Sequence, residues 1–299
     1  MTKWKGVFPA ATTQFKQDQS LDLDSTAQHL EALLASGISG LVMLGSLGEN
    51  NALTRDEKLQ VMKTALDVTA GRVPVLSGVS ETSTQAACEY ARAVENVGAD
   101  GIMLLPAMVY KADPRETMAH FRTVAAASDL PIICYNNPVA YTVDITPEMF
   151  AELADEPKFV AIKESSGNVR RITDIFNIVG DRYTIFTGVD DLALESVLLG
   201  AEGWIAGVGL AFPRENQYLW ELATSGQWEK AREIYRWYMP LLHLDIPIKF
   251  VQYIKLAIQE CGLGSEWVRA PRLPLVGEER EQILKIIRAG LEKRPNIPA

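Results

Sequence analysis

The sequence predicts a (β/α)8 barrel carrying a C-terminal extension of about three helices, and three observations lead there. Short, nearly continuous apolar runs alternate with amphipathic helical patterns until eight strand-then-helix units have passed by about residue 225. An open, doubly wound sheet usually has fewer strands. The segments "GISG" (37–40), "GADG" (98–101) and "GAEG" (200–203) each end a helical pattern and open a strand, at intervals that fit multiples of a βα unit of roughly thirty residues. No Pro/Gly/Ser-rich linker divides the chain, so residues 1–225 are assigned to the barrel and 226–299 to an extension packed on it.

The predicted strands are 6–11, 40–45, 73–78, 101–106, 131–136, 159–163, 183–188 and 203–208. Their continuous apolar character is that of strands covered on both faces. Between them the helix starts are readable. "TRDE" (54–57) is a capping box with Thr54 as N-cap and Glu57 returning to its amide, and "TPEMF" (146–150) puts Thr146 at the cap and Pro147 at the first helical position. In the glycine pairs the first residue suits a left-handed helix C-cap and the second a close approach at the strand's start. The tail reads as three helices, in "QWEKAREIYRWYMPLL", "IPIKFVQYIKLAIQECG" and "GEEREQILKIIRAGLEK".

Composition narrows the function. The 299 residues are 47% hydrophobic and 22% charged, with a net charge of −9 and no local Lys/Arg cluster, which argues against nucleic-acid and anionic-membrane partners. Cys88, Cys134 and Cys261 lie far apart without a CxxC pair, so neither a zinc site nor a disulfide framework is expected. The N-terminus lacks an apolar signal-peptide core and no run approaches the length of a membrane span, so the chain reads as soluble and cytoplasmic. His29, His120 and His243 sit singly in helical patterns, where packing or surface roles are expected.

The stretch "FVAIKESSG" (159–167) carries the chemistry: an apolar strand runs straight into Lys163. At the C-terminal end of the sixth strand this lysine faces the barrel mouth, where barrel enzymes hold their active sites. With its stem in an apolar wall its pKa falls, and the amine becomes a nucleophile toward a carbonyl. A solvated lysine, or one paired with Glu164, is the competing reading. The fifth strand ends "CYNNP", placing Tyr135 on the same rim as a proton relay; the bland alternative is a buried, satisfied phenol. The second strand ends "LGSLGEN", a turn whose Ser46 hydroxyl and backbone amides can hold a carboxylate. Together these three fit a class I Schiff-base enzyme acting on a 2-oxo acid. Two further readings concern "TGVDD" (187–191): a phosphate site with the eighth-strand glycines, or, more simply, Asp190 or Asp191 capping the next helix. A metal role for this pair lacks other ligands at recognisable spacing.

The motifs "GSLGE" (45–49), "YNNP" (135–138), "IKESSG" (162–167), "TGVDD" (187–191) and "GAEGWIAG" (200–207) resemble, in order and separation, those of the dihydrodipicolinate synthase/N-acetylneuraminate lyase family over nearly the whole chain. The resemblance implies that Lys163 forms an imine with the 2-oxo carbon, that Tyr135 relays protons, that Ser46 contacts the substrate carboxylate and that Ile205 lines the pyruvyl pocket. It also implies a homotetramer built from dimers and no metal or organic cofactor.

Three departures stand out. Leu47 replaces the second hydroxyl residue that many members carry in the glycine turn. Tyr110, after the fourth strand, corresponds loosely to a relay tyrosine that reaches a neighbouring subunit's site. Ala140, followed by Tyr141, stands where dihydrodipicolinate synthase has an arginine for the aldehyde partner's carboxylate, and a methyl group cannot replace that fork. On that last departure the expected substrate is a 2-oxo acid or its cyclic imine, with 1-pyrroline-4-hydroxy-2-carboxylate deamination ranked first. A 2-keto-3-deoxy sugar-acid aldolase or dehydratase follows, then dihydrodipicolinate synthase itself, then a non-catalytic 2-oxo-acid-binding protein.

Overall fold

The structure, a computed structural model, describes residues 4–107 and 109–298. Eight parallel strands curl into the predicted barrel: β1 (Gly6–Val7), β2 (Leu41–Met43), β3 (Val75–Val79), β4 (Gly101–Leu104), β5 (Ile132–Asn136), β6 (Phe159–Glu164), β7 (Thr184–Thr187) and β8 (Gly203–Trp204). The hydrogen-bonded order runs β1-β8-β7-β6-β5-β4-β3-β2. The ring closes through the parallel bridge of Ala10 with Val42, where the Ala11 amide donates to Val42 and the Val42 amide to Pro9. The apolar runs are buried throughout, as strands flanked on both faces require.

Around the barrel lie α1 (Leu23–Ala35), α2 (Arg55–Thr69), α3 (Thr84–Asn96), α4 (Pro114–Ala125), α5 (Pro138–Tyr141), α6 (Pro147–Leu153), α7 (Arg170–Val179), α8 (Ala193–Leu198) and α9 (Pro213–Thr224). Helices α10 (Trp228–Leu242), α11 (Phe250–Glu260) and α12 (Gly277–Glu292) follow where the tail pattern put them. Both predicted N-caps form: Thr54 and Glu57 exchange the reciprocal bonds of a capping box, and Thr146 accepts from the Met149 amide ahead of Pro147. The first glycines of the recurring pairs, Gly37, Gly98 and Gly200, are left-handed as expected. The second ones make room for rings, Phe8 against Gly40, Trp4 against Gly101 and Phe186 against Gly203.

β1 and β8 are shorter than the predicted 6–11 and 203–208. Past Val7 the alternate bonds to the eighth strand still run on, from Phe8 to Trp204 and from Ala10 to Ala206, while Pro9, facing β2, has no amide to donate on that side. Past Ala206 the Gly207 and Val208 amides are taken by Asp190 and the chain turns into a short 3₁₀ segment, 208–210. His29 is buried and donates from Nε2 to the Leu210 carbonyl, while His120 bonds Thr84 and His243 is exposed. Trp237 stacks on Tyr238 and donates to the Gly290 carbonyl, and Trp220 is buried, so both pack within the chain.

Among the polar contacts that join the extension to the barrel, one group gathers at Glu49. Lys255 on α11 is fully buried and donates to Glu49 (2.6 Å) and to the Trp267 carbonyl (2.7 Å). The second Glu49 oxygen accepts from the Arg269 amide. Breaking a buried pair strands the remaining charge, so Lys255→Ala is expected to lower stability by about 3–5 kcal/mol in chemical denaturation, and Glu49→Gln/Lys255→Met by less than Lys255→Ala alone.

Candidate active site

Strand alternation settles where the lysine points. Tyr135 on β5 and Lys163 on β6 are register partners, and so are Asn136 and Glu164 one residue on. Neighbours in register share a face and successive residues alternate, so Tyr135 and Lys163 face one way, Asn136 and Glu164 the other. Glu164 is therefore no partner for the lysine. It accepts from the Asn136 side chain (3.1 Å) and the Ser166 amide (2.6 Å).

Lys163 is 6% exposed, and its Nζ lies 4.0 Å from the centroid of the Tyr135 ring. Among the described residues no carboxylate lies within ion-pair distance of it. Burial holds its pKa below the ordinary lysine value, although Tyr141, Asp245 and Asp190 pull the other way. The stem is seated by Gly188 of "TGVDD": a Cβ there would come within 2.4 Å of Lys163 Cε. That glycine is a requirement of lysine placement, since any side chain would displace the amine.

Tyr135 is buried, and its hydroxyl accepts from the Asn137 side chain (3.1 Å). Desolvation pushes its pKa up, with the Asn137 bond opposing, so it is a neutral phenol able to donate. Ser46 sits on the turn after β2 and shares a hydrogen bond with the Tyr141 hydroxyl. The turn is backbone-strained: Leu44 (φ 56°) and Glu49 (φ 53°) are both left-handed, a conformation costing about 1–3 kcal/mol in non-glycine residues. Asn50 fixes it by donating to the Leu44 carbonyl (2.8 Å) and Thr13 by donating to the Gly48 carbonyl (2.8 Å). Leu47 and Ile205 are buried apolar residues, at the turn and just past β8. Ala140 is exposed on the one-turn helix α5. Tyr110 is not brought to this group within its own chain; it is 60% exposed and donates to Glu116 (2.7 Å).

Two acidic residues take unforeseen parts. Asp190 caps no helix: its carboxylate accepts from Trp204 Nε1 (2.9 Å), the Gly207 amide (3.0 Å) and the Val208 amide (2.6 Å), tying the end of β7 to that of β8. The amides that a phosphate would have used are thereby occupied. Asp245, in the turn between α10 and α11, lies against Gly207, where a Cβ would come within 2.6 Å of its Oδ1. Burial and the neighbouring Asp190 push Asp245 well above the usual carboxylate range, favouring its neutral form. Nothing in "HLDIPIK" signals this, because only the folded extension brings residue 245 over the eighth strand. No cluster of three or more potential metal ligands occurs among the described residues, and no helix among them is long and apolar enough to cross a membrane.

Comparison with known proteins agrees with this geometry. The profile described as the dihydrodipicolinate synthetase family matches residues 3–290. A 4-hydroxy-tetrahydrodipicolinate synthase of Exiguobacterium sibiricum is 37% identical, covering 91% of this chain and 92% of the relative. Another, of Methanospirillum hungatei, is 33% identical over 94% and 97%. Among solved structures, YagE, a prophage protein of the dihydrodipicolinic acid synthase family from E. coli K12 in complex with pyruvate, superposes with a TM-score of 0.90 at 28% identity, covering 97% of this chain and 99% of the other. These findings overturn the ranking that placed a pyrroline-carboxylate deaminase first and the synthase behind it: relatives at 30–37% identity carry the synthase name. The ranking rested on Ala140 alone, and loss of one guanidinium removes a carboxylate contact without creating a new reaction. This chain belongs to the dihydrodipicolinate synthetase family and is an enzyme of its class I Schiff-base lyase type.

Proposed function

We propose that this enzyme activates pyruvate as an imine on Lys163 and joins it to an aldehyde, a reading supported by the synthase name of its relatives and by the pyruvate complex of YagE. The observation that carries the reading is the buried, unpaired Lys163 amine set beside the Tyr135 ring at the end of β6. The neutral amine attacks C2 of pyruvate, and the resulting carbinolamine loses water to give the iminium. That cation withdraws electrons from C3, so a C3 proton leaves and the enamine forms. The enamine carbon then attacks the aldehyde, and hydrolysis frees product and lysine. Tyr135 supplies and removes protons, and Ser46 with the turn's amides holds the pyruvate carboxylate. The iminium is itself the electron sink, so the scheme needs no metal or organic cofactor. Family membership further supports a homotetramer built from dimers, working in the cytoplasm, as part of this proposal.

The acceptor follows from the product's chemistry. Removing pyruvate from 4-hydroxy-tetrahydrodipicolinate leaves an amino aldehyde bearing a carboxylate. Ala140 offers that carboxylate no charged partner, so this chain should bind such an acceptor weakly.

Three outcomes are expected. Borohydride reduction in the presence of pyruvate adds mass to the peptide holding Lys163, and Lys163→Ala abolishes the adduct; no adduct with pyruvate or any other 2-oxo acid refutes the imine. Attack needs the neutral amine and burial lowers the Lys163 pKa, so the trapping rate rises with pH and levels off below the 10.5 of an ordinary lysine. Ala140→Arg restores a charge-assisted carboxylate contact and should raise kcat/KM for the carboxylate-bearing aldehyde by about 10-fold or more; steady-state kinetics checks this.

A further inference from the structure

The strand faces turned away from the amine carry a polar network that the scheme above does not use. Glu164 follows Lys163 directly on β6, and its register partner on β5 is Asn136; both are buried. Both Glu164 oxygens accept a hydrogen bond, Oε1 from the Ser166 amide (2.6 Å) and Oε2 from Asn136 Nδ2 (3.1 Å). An acceptor bond at each oxygen is the geometry of a carboxylate. Burial pushes the Glu164 pKa up, against the pull of those bonds and of the nearby Arg171.

Asn136 extends the network. Its Oδ1 accepts from the Ile145 amide (2.9 Å), and Nδ2 also donates to Asp144 (3.3 Å). Arg171 of α7 holds Asp144 through two bonds (2.7 and 2.6 Å) and donates to the Ile145 carbonyl (3.3 Å). The ends of β5 and β6 are thereby tied to residues 144–145 and to α7. The backbone adds its own links, from the Ser165 amide to the Asn136 carbonyl (2.8 Å) and from the Gly188 amide to the Glu164 carbonyl (3.0 Å).

Burying a carboxylate is costly even when it is hydrogen-bonded, so an apolar pair would serve packing better. What the polar pair supplies is direction, because hydrogen bonds weaken steeply off axis and apolar contacts do not. Residues in register move with their strand neighbours. A slip of Glu164 against Asn136 therefore passes to Lys163 against Tyr135, whose amine and ring centroid lie 4.0 Å apart. Attack on a carbonyl is sensitive to such offsets: a misplacement of about 1 Å can lower a rate by about 10²-fold.

We propose that Glu164 is a positioning residue, which with Asn136 forms a lock behind the two strands and sets the Lys163 amine against the Tyr135 ring. It acts through the backbone of β6, from the face opposite the reacting amine. This inference rests on the Lys163 imine proposed above.

The test is a reciprocal exchange. Glu164→Gln turns one acceptor into a donor facing a donor, and Asn136→Asp sets two carboxylates against each other. Glu164→Gln/Asn136→Asp again places a donor opposite an acceptor, keeps one carboxylate in the pair and leaves the Ile145 amide its partner. Only the 3.3 Å bond to Asp144 is given up. The rate of imine formation at saturating pyruvate, read by timed borohydride quenching, is measured on the full chain with KM for pyruvate and the thermal midpoint. Each single variant should form the imine about 10- to 100-fold more slowly, with KM within roughly threefold of wild type. The double variant should recover to within roughly threefold of the wild-type rate, because the two losses share one contact.

A purely structural pair would lower the midpoint and leave the rate of the folded enzyme unchanged, so folded single variants at wild-type rate overturn the lock. A folded double variant no faster than the singles overturns it too. Where a single variant does not fold, the double variant decides alone: wild-type rate supports the lock, and a slow folded enzyme refutes it. A wild type that traps no 2-oxo acid on Lys163 sinks the imine and the lock together, whereas normal trapping with undiminished single variants sinks the lock alone.

Discussion

The burial of one amine organises this molecule. A lysine at the end of an interior strand loses hydration, and among the described residues no carboxylate pairs with it, while only 6% of it stays exposed. Register fixes the consequence, because Tyr135 must lie beside it on β5 while Glu164 is sent to the opposite face, where Asn136 and the Ser166 amide hold it. Packing supplies the rest: Gly188 gives up its side chain so that the stem can pass. Desolvation then favours the uncharged, nucleophilic form. Burial also raises the pKa of the Asp190 and Asp245 carboxyl groups, so the apolar surroundings of the strand ends disfavour charge on all three groups.

The other half of the site is a turn that would not hold its shape alone. Leu44 and Glu49 adopt left-handed conformations, and Thr13, Asn50 and the buried Glu49–Lys255 pair tie the turn down from three sides. A buried ion pair is a poor source of net stability but a demanding one geometrically, since each charge must find its partner. Here it fixes the turn that carries Ser46, using a residue from α11. The extension therefore contributes to the site twice, through Lys255 below the turn and through Asp245 beside the eighth strand.

Much of this was legible in the sequence, and the limits have physical causes. Strand and helix periods are local properties, so the barrel, its tail helices and the caps at Thr54 and Thr146 could be read directly. Lys163, Tyr135 and Ser46 could be singled out as candidates because each lies at a strand's C-terminal end, a place the fold defines. The strands β1 and β8 were overestimated because apolar composition says nothing of where the amides go, and at Gly207 and Val208 they go to Asp190. Asp190 was misread as a helix cap for the same reason. Asp245, and the meeting of Tyr141 with Ser46, depend on contacts between distant parts of the chain, and no spacing encodes them. Ala140, a single position, was given too much weight in choosing the reaction, which the synthase names of the relatives overturn.

The Glu49–Lys255 pair also orders events during synthesis. Residues 45–49 and Lys163 leave the ribosome long before α11 does, so a nascent chain already holds its reactive amine and its strained turn while lacking the charge that pins that turn. The amine and the fully pinned turn come together only once α11 has docked. A chain that stops short of residue 255 carries Lys163 and the 45–49 turn without the buried cation that pins that turn.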